Sequence, residues 1–409
     1  MTDKNIKLAY IHATSFPSTE ANTFDAIWTA AALKEKIDTT FFVPRLKTSK
    51  TELMKYYDIS SSSLPVQSMR LNLLPDRFLL QFKETYEKAL SFYLRFHPEW
   101  AGFAGKRVIY VREPRELIFW GLQKEQQAWL KNWILCYEAH DPLGIDPNKF
   151  PGVNPFSIQD GPDGLRHQLI LRAASNFDVL ICNTQILADD LRTWTNGRLN
   201  PHFITLASPL PRLLAKPQIT SFGEKITIGY IGTVDRYRGV DILLESVRFW
   251  PKNYTLRIVG RLRKEQGVDS GWLDRYMADP IIGSKVDLNI VSAIDDVAAE
   301  IDRCDIVVQP ASKDELDSRY AAPLKSYGYM VRGKPIVAGD VLCHRELFDG
   351  GNIAALYSLD PGSLSSCIVN VVENPKFAER IAQGAWEQSV KYTLSRRVDD
   401  ILGLLTATS

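Results

Sequence analysis

Two stretches of this sequence carry residue types whose spacing suits the binding of a phosphate. Residues 319–338 read RYAAPLKSYGYMVRGKPIVA. Pro323 suits the first turn of a helix and Gly333 its end. Pro335-Ile336-Val337-Ala338 then reads as a buried strand. A helix start that points into a cleft offers unbonded backbone N–H groups and the positive end of a dipole, which together attract an anion. Lys325, in the first turn, adds a full positive charge. The same residues also fit an ordinary βαβ element with a solvated lysine. Residues 228–241 read IGYIGTVDRYRGVD. A strand ends at Gly232, a turn carries Thr233, Arg236 and Arg238, and a helix begins near Gly239. Glycine lets a ligand approach the backbone closely, and arginines in the turn can fork onto phosphate oxygens. Taken alone this pattern is weak, because most α/β domains contain a strand, a glycine turn and a helix.

These residues need a scaffold, and the pattern of short apolar runs followed by helix-like segments predicts α/β layers with parallel sheets. In the first half, strands are predicted at 6–12, 39–43, 107–111, 134–138, 179–182 and 202–206. Helices are predicted at 24–36, 78–95, from 117 onward, at 164–174 and at 185–194. Residues 208–223 carry Pro209, Pro211 and Pro217 with little periodicity and read as a linker. A second series follows, with strands at 226–231, 255–259, 286–289, 306–309, 335–338 and 353–357. Its helices are predicted at 240–249, 294–303, 323–332 and along 377–405. Two such sets predict two Rossmann-like domains whose parallel sheets face across a cleft: 1–210, then 211–385. Residues 386–409 form a last helix placed to cross back to the first domain. Ligands of such sheets bind at the carboxyl ends of the strands, so the working site is expected in the cleft.

Bulk properties narrow the classes. The 409 residues exceed the size at which single cores stop growing, which favours two domains. Hydrophobic residues at 45% and charged residues at 24% mark a globular chain, and a formal net charge of +1 argues against nucleic acid as partner. Cys136, Cys182, Cys304, Cys343 and Cys367 are scattered, with no C-x-x-C pair, and read as buried thiols of a reducing compartment. No signal peptide and no run of about 18 apolar residues is seen, so a cytoplasmic protein is expected. Residues 78–100, rich in Phe, Tyr, Leu, Lys and Arg, suit a packed amphipathic helix; peripheral membrane contact or a cradle for a hydrophobic acceptor are the other readings. No His/Cys cluster suggests a metal.

Together the two phosphate-binding stretches resemble the retaining glycosyltransferases of the GT-B type, of the glycosyltransferase family 4 kind. Members carry G-x-G-x-x-x-x-x-K-G followed by a hydrophobic and an acidic residue, then P-L-K-x-F-E-Y-M-A-x-G-K-P. IGYIGTVDRYRGVD matches the first and APLKSYGYMVRGKPIVAGD the second. In the first half PSTEANTFDAIWTAAAL resembles the family's P-S-x-x-A-N-S block, with Asn22 at the matching asparagine. VIYVRE (Arg112) and CYEAHD (Glu138, His140) resemble its second-strand arginine and E-x-H segment.

The resemblance implies a nucleotide-sugar donor, UDP- or GDP-linked, an acceptor it does not identify, retention of anomeric configuration, and neither metal nor cofactor. It assigns catalytic roles to Arg238, Lys325 and His140, and donor contacts to Gly232, Thr233, Arg236, Pro323, Leu324, Gly328 and Asn22. Arg238 and Lys325 would stabilise the leaving diphosphate, and the acceptor proton would pass to that phosphate, so no protein base is named. The sequence departs from the pattern where the family's E-x7-E pair would fall, on Tyr320 and Gly328. Glu315 and Asp317 are candidates to replace the lost carboxylate. Two further readings follow: a silent partner of a true transferase, or a sugar-nucleotide epimerase.

Overall fold

The computed structural model describes residues 3–18, 21–59, 64–69, 83–149, 153–158, 160–263, 271–291, 296–311 and 313–408. The chain forms two compact units. One comprises Met1–Leu206 with Leu394–Ser409, and the other Ala207–Thr393. The first boundary falls after 206 where the sequence placed it after 210, and the chain rejoins the first unit at 394 rather than 386.

The first unit is a seven-stranded parallel sheet. In chain order its strands are β1 (Asp3–Ile11), β2 (Ile37–Val43), β3 (Val66–Ser68), β4 (Lys106–Val111), β5 (Trp133–Ala139), β6 (Val179–Cys182) and β7 (His202–Phe203). Their spatial order is β3-β2-β1-β4-β5-β6-β7. The interior strands are largely apolar, as strands covered on both faces are: β5 (WILCYEA) is buried along its whole length, Glu138 included. The order reverses between β1 and β4, so the loops leaving those strands diverge and open a crevice at their carboxyl ends.

The second unit is a six-stranded parallel sheet of β8 (Ile226–Ile231), β9 (Tyr254–Gly260), β10 (Val286–Ile290), β11 (Ile306–Gln309), β12 (Ile336–Gly339) and β13 (Ala355–Tyr357). Their order is β10-β9-β8-β11-β12-β13, with the reversal between β8 and β11. The expected strands at 179–182, 226–231 and 306–309 match to the residue.

Several expectations are corrected. The strand foreseen at 202–206 is two residues long, because Ile204 to Ser208 leave the sheet for the crossing to the second unit. β3 has only three residues, too few to show an alternation in sequence. The single helical stretch expected over 377–405 is two helices, Pro375–Gln388 and Leu394–Ala407, parted by the turn Ser389–Tyr392. Val390, Tyr392 and Thr393 supply β-branched and aromatic residues there, which lose side-chain freedom in a helix and lower its propensity. Tyr392 packs its ring 5.0 Å from that of Tyr327, and Ser208 N–H donates to the Tyr392 carbonyl at 2.9 Å. The helix foreseen at 78–95 is Lys83–Phe96, residues 78–82 lying outside the described ones; Tyr86, Leu90 and Leu94 are buried while Phe92 and Phe96 are exposed. Likewise the helix foreseen at 294–303 is Val297–Asp302, with 294 and 295 outside the described residues.

The last helix completes the first unit. Val398, Ile401 and Leu405, spaced three and four apart, bury one stripe in the same core as Ile27, Ala30 and Ile134. All five cysteines are unpaired, and only Cys367 is partly exposed. No described helix is long and apolar enough to cross a membrane. Ile401→Ala is expected to lower the stability of the first unit by about 2–5 kcal/mol and leave the second unit's transition in place. Urea unfolding followed by tryptophans of each unit checks this; an unmoved first-unit transition would contradict the packing.

Candidate functional site

In the second unit the reversal point is built on three glycines and one helix. β8 leaves the sheet at Gly232, whose φ of +149° few other residues adopt. The end of the neighbouring strand β9 must also be glycine, since a Cβ on Gly260 would lie 1.8 Å from the Gly232 carbonyl oxygen. Gly239, at φ +78°, lets the turn lie down on the loop after β11, where a Cβ would meet the Ala311 carbonyl at 2.3 Å. The turn is thereby pressed against the carboxyl ends of β9 and β11.

The helix Leu324–Val331 is locked to the ends of β8 and β11. Tyr329 Oη accepts from Ile231 N–H at 3.0 Å and lies 3.3 Å from the Ile231 carbonyl. Ser326 Oγ donates to Gln309 Oε1 at 3.1 Å. This anchoring carries Lys325 across the turn. Its Cε lies 2.9 Å from where a Gly232 Cβ would stand. Its Nζ donates to Tyr230 Oη at 3.3 Å and sits 4.8 Å from the centre of that ring. Tyr230 in turn donates to the Thr233 carbonyl at 2.5 Å. Crowding by protein atoms, and then the nearby Arg238 charge, pull the Lys325 ammonium down to about 7, against a smaller upward pull from Asp235.

Asp235, almost fully buried, organises the turn's cations. It accepts from Tyr237 N–H at 3.0 Å. The guanidinium groups of Arg263 and Arg238 stand 3.3 and 3.7 Å from its carboxylate. Arg238 remains half-exposed, and Arg236 is exposed. Arg236, Tyr237, Asp241, Lys313 and Asp314 line a cavity of about 390 Å³ between this turn and the loop after β11. Lys325 is not among its lining residues.

Gly232, Thr233, Arg238 and Lys325 are thus brought together, with Arg236 beside them and Pro323 and Leu324 at the start of the helix that presents Lys325. Gly328 lies elsewhere. It is on the buried side of that helix, where a Cβ would touch Leu210 Cδ1 at 3.2 Å and Ile301 Cδ1 at 3.6 Å. Tyr320 is buried, its hydroxyl accepting from Arg319 Nε at 3.0 Å. Asp314, rather than Asp317, reaches the cavity wall. The sequence reading missed Tyr230, Asp235 and Gly260. A glycine closing β9 directly beside the strand that ends at Gly232 was the available signal for the last.

In the first unit, His140 follows β5 and Arg112 follows β4. Arg112 is buried; its Nη1 donates to the Asn22 carbonyl at 3.0 Å and its Nη2 to Asp25 Oδ2 at 2.7 Å. Its Nε points at His140 Nε2 at 3.1 Å. Glu138, wholly buried, receives Tyr110 Oη and Arg397 Nη2, the latter at 2.6 Å. Burial alone would raise the Glu138 carboxyl, but Arg397 and Arg112 hold it well below the usual range. Asn22 enters this network through its backbone, its side-chain Nδ2 lying 3.5 Å from Glu113.

Asp25, Glu138 and His140 place ligand-type atoms within 4.8 Å of one another. They do not fit a metal ion, because the Arg112 and Arg397 guanidiniums already pair with the Asp25 and Glu138 carboxylates and cancel both negative charges.

Gly260→Ala is expected to cost about 1–3 kcal/mol or more by overpacking and to loosen the turn carrying Thr233. Thermal unfolding together with hydrogen exchange at 232–239 measures both. An unperturbed Tm would mean that the strand end has room the geometry denies it.

Residues 225–374 match the family model of glycosyl transferases group 1. No curated protein sequence matches the chain. Its fold is similar to HepE of Anabaena, solved in complex with UDP, at 15% identity and a TM-score of 0.70, covering 98% of this chain and 100% of that one. It is also similar to sucrose-phosphate synthase of Thermosynechococcus elongatus, at 15% identity and a TM-score of 0.69, covering 99% and 100%. WaaG, a glycosyltransferase involved in lipopolysaccharide biosynthesis, gives 12% identity and a TM-score of 0.60, covering 98% and 100%. At such identities the likeness concerns the fold: two Rossmann-like parallel-sheet domains of the GT-B class, the second of which carries the group 1 match.

Proposed function

We propose that this protein is a glycosyltransferase that takes a sugar from a nucleotide-sugar donor, with the diphosphate held at the turn after β8. One observation carries the reading. Lys325 lays its ammonium over the Gly232 turn at the reversal point of the sheet, and within the described residues its one hydrogen bond goes to a tyrosine hydroxyl and none to a carboxylate. A cation so placed is unsatisfied until an anion arrives. The UDP seen in the Anabaena neighbour and the group 1 match over 225–374 support the same choice of ligand. UDP- and GDP-linked donors are both compatible with these groups.

Catalysis here is charge stabilisation. As the bond from the sugar carbon to the phosphate oxygen breaks, negative charge grows on the diphosphate. Lys325, Arg238 and the backbone N–H groups around Thr233 and Leu324 are positioned to stabilise it. The acceptor hydroxyl attacks from the departing side, giving retention, and its proton passes to the leaving phosphate. Neither a metal nor a protein base is needed in this scheme. The acceptor is a hydroxyl compound of open identity.

Lys325→Ala and Arg238→Ala are each expected to lower kcat about a hundredfold or more with the fold intact. Unchanged turnover in both sinks the assignment. Screening UDP, GDP and their sugars by calorimetry identifies the donor. Failure of every nucleotide to bind supports the other reading, a silent GT-B partner, which the buried Tyr320 and the Leu210-packed Gly328 favour. Isomerised donor without acceptor identifies an epimerase instead.

The Lys325 ammonium also sets a pH dependence. With a value of about 7 in the free protein, the cation is lost as pH rises above that point, whereas the diphosphate of a UDP-sugar keeps its charge. Binding restores the proton, so affinity is expected to be flat below about pH 7 and to fall by up to about tenfold per unit above it. Calorimetry at about pH 8 in buffers of different ionisation enthalpy should show proton uptake on binding. Affinity that stays level up to about pH 9 means that Lys325 does not face the diphosphate.

A further inference from the structure

Glu116, in the first turn of the helix Pro114–Gln126, is a carboxyl group with no exposed surface. Its Oε2 accepts from the backbone N–H groups of Arg112 and Glu113, both at 3.3 Å. Its Oε1 is buried and, among the described residues, has no hydrogen-bond partner.

The cations nearby are engaged with other groups. Arg112 directs its guanidinium to the Asn22 carbonyl, Asp25 and His140. Arg115, on the same helix as Glu116, stands 3.3 Å from Glu87. The helix Gly161–Ala174 packs alongside; there Arg166 donates to the Gly144 carbonyl, Arg172 pairs with Glu125, and His167 lies 2.8 Å from the Pro155 carbonyl. The remaining neighbours are acidic or neutral. Glu113 begins the helix, the helix Lys83–Phe96 supplies buried Tyr86 and Glu87, and β5 supplies buried Tyr137. Asp141, after β5, adds a carboxyl whose charge reaches Tyr137. The Tyr86 and Tyr137 phenols, pushed far up by burial, are neutral, and neither hydroxyl has a hydrogen-bond partner among the described residues. No metal ion is gathered here either, since among the described residues only Asp25, Glu138 and His140 bring ligand-type atoms within 4.8 Å of one another.

An ionised Glu116 would therefore be a buried charge among carboxylates of its own sign. The helix start and the two N–H groups favour the anion. Burial, and then the Glu113 and Glu87 charges, nevertheless push this carboxyl well above its usual range. An un-ionised acid leaves one O–H unsatisfied, whereas the anion leaves a full charge, which costs far more.

We propose that Glu116 is held as an un-ionised acid and acts as a pH-sensitive latch on the turn that carries Arg112. In the closed state its carbonyl oxygen holds the Arg112 and Glu113 N–H groups, with the proton on Oε1. As pH rises the acid ionises, and the anion reaches water only by parting its helix from Tyr86 and Glu87, which frees the turn. Arg112 bridges Asn22, Asp25 and His140, so the latch governs the crevice of the first unit. Its operation does not depend on the glycosyltransferase reading. A carboxyl whose folded-state value lies above the unfolded one stabilises fully below the ordinary glutamate value of about 4.3. That contribution is lost as pH rises through the folded value.

Glu116→Gln keeps the side chain uncharged at every pH and provides the test. In urea unfolding of the first unit from about pH 4 to about pH 9, the wild-type unfolding constant is expected to rise relative to that of Glu116→Gln, by up to about tenfold per pH unit, and then to level off. Hydrogen exchange at the Arg112 and Glu113 amides is expected to match in the two proteins at about pH 5 and to be faster in wild type at the alkaline end. An infrared difference spectrum, wild type minus Glu116→Gln, at about pH 6, where an ordinary carboxyl is ionised, should contain the carbonyl stretch of an un-ionised acid. Parallel unfolding curves across the range, or absence of that stretch, overturn the proposal. A Glu116→Gln protein that fails to fold, or is less stable than wild type throughout, overturns it equally, because the uncharged side chain is the form the closed latch holds.

Discussion

A lysine that, among the described residues, has no carboxylate within hydrogen-bonding distance governs the second unit. The Lys325 ammonium is crowded by protein, rests on the Tyr230 ring and has Arg238 for a neighbour. Holding a charge there costs free energy, and the fold keeps it in place because the helix that bears it is tied down elsewhere. Tyr329 bonds both backbone groups of Ile231, and Ser326 bonds Gln309. The glycines at 232, 239 and 260 follow from the same constraint, since the turn, two strand ends and the lysine stem share a space that admits no Cβ. A desolvated lysine beside a turn built on glycines is the feature on which the proposed diphosphate site rests.

The first unit treats charge in the opposite way. Arg112, Arg397, Asp25 and Glu138 are all buried and mutually paired, with hydrogen bonds to Tyr110, Thr29 and backbone carbonyls taking up the remaining donors. Removing any single member of such a cluster is strongly destabilising, because it leaves a buried charge uncompensated. It also specifies one arrangement of β4, β5, the first helix and the last, elements distant in sequence. The crevice of the first unit is therefore preorganised, whereas at that of the second Lys325 bonds a tyrosine hydroxyl and Arg238 and Arg263 share the single carboxylate of Asp235.

Much of the scaffold was legible in the sequence because its cues are local. Short, mainly apolar runs marked β5, β6, β8 and β11, and proline before and glycine after marked the helix that carries Lys325. The turn after β8 was legible for the same reason, as glycine at 232 and 239 is a statement about backbone angles that the residue itself makes. The break between Gln388 and Leu394 was less so, because amphipathic spacing continues on both sides and the interruption depends on Tyr392 finding Tyr327.

What the sequence determined alone is the set of parts: two series of parallel strands, a cationic turn, and a lysine at the start of a helix. Partnership was left to the tertiary structure. That Lys325 lies against Gly232 and Tyr230, that Gly328 faces Leu210 rather than the cavity, and that Arg397 reaches Glu138 are consequences of how helices cross strand ends. Such crossings join residues tens or hundreds of positions apart, and no local periodicity encodes them. Side-chain charge and volume are written in the chain; the distance at which two of them meet is decided by packing.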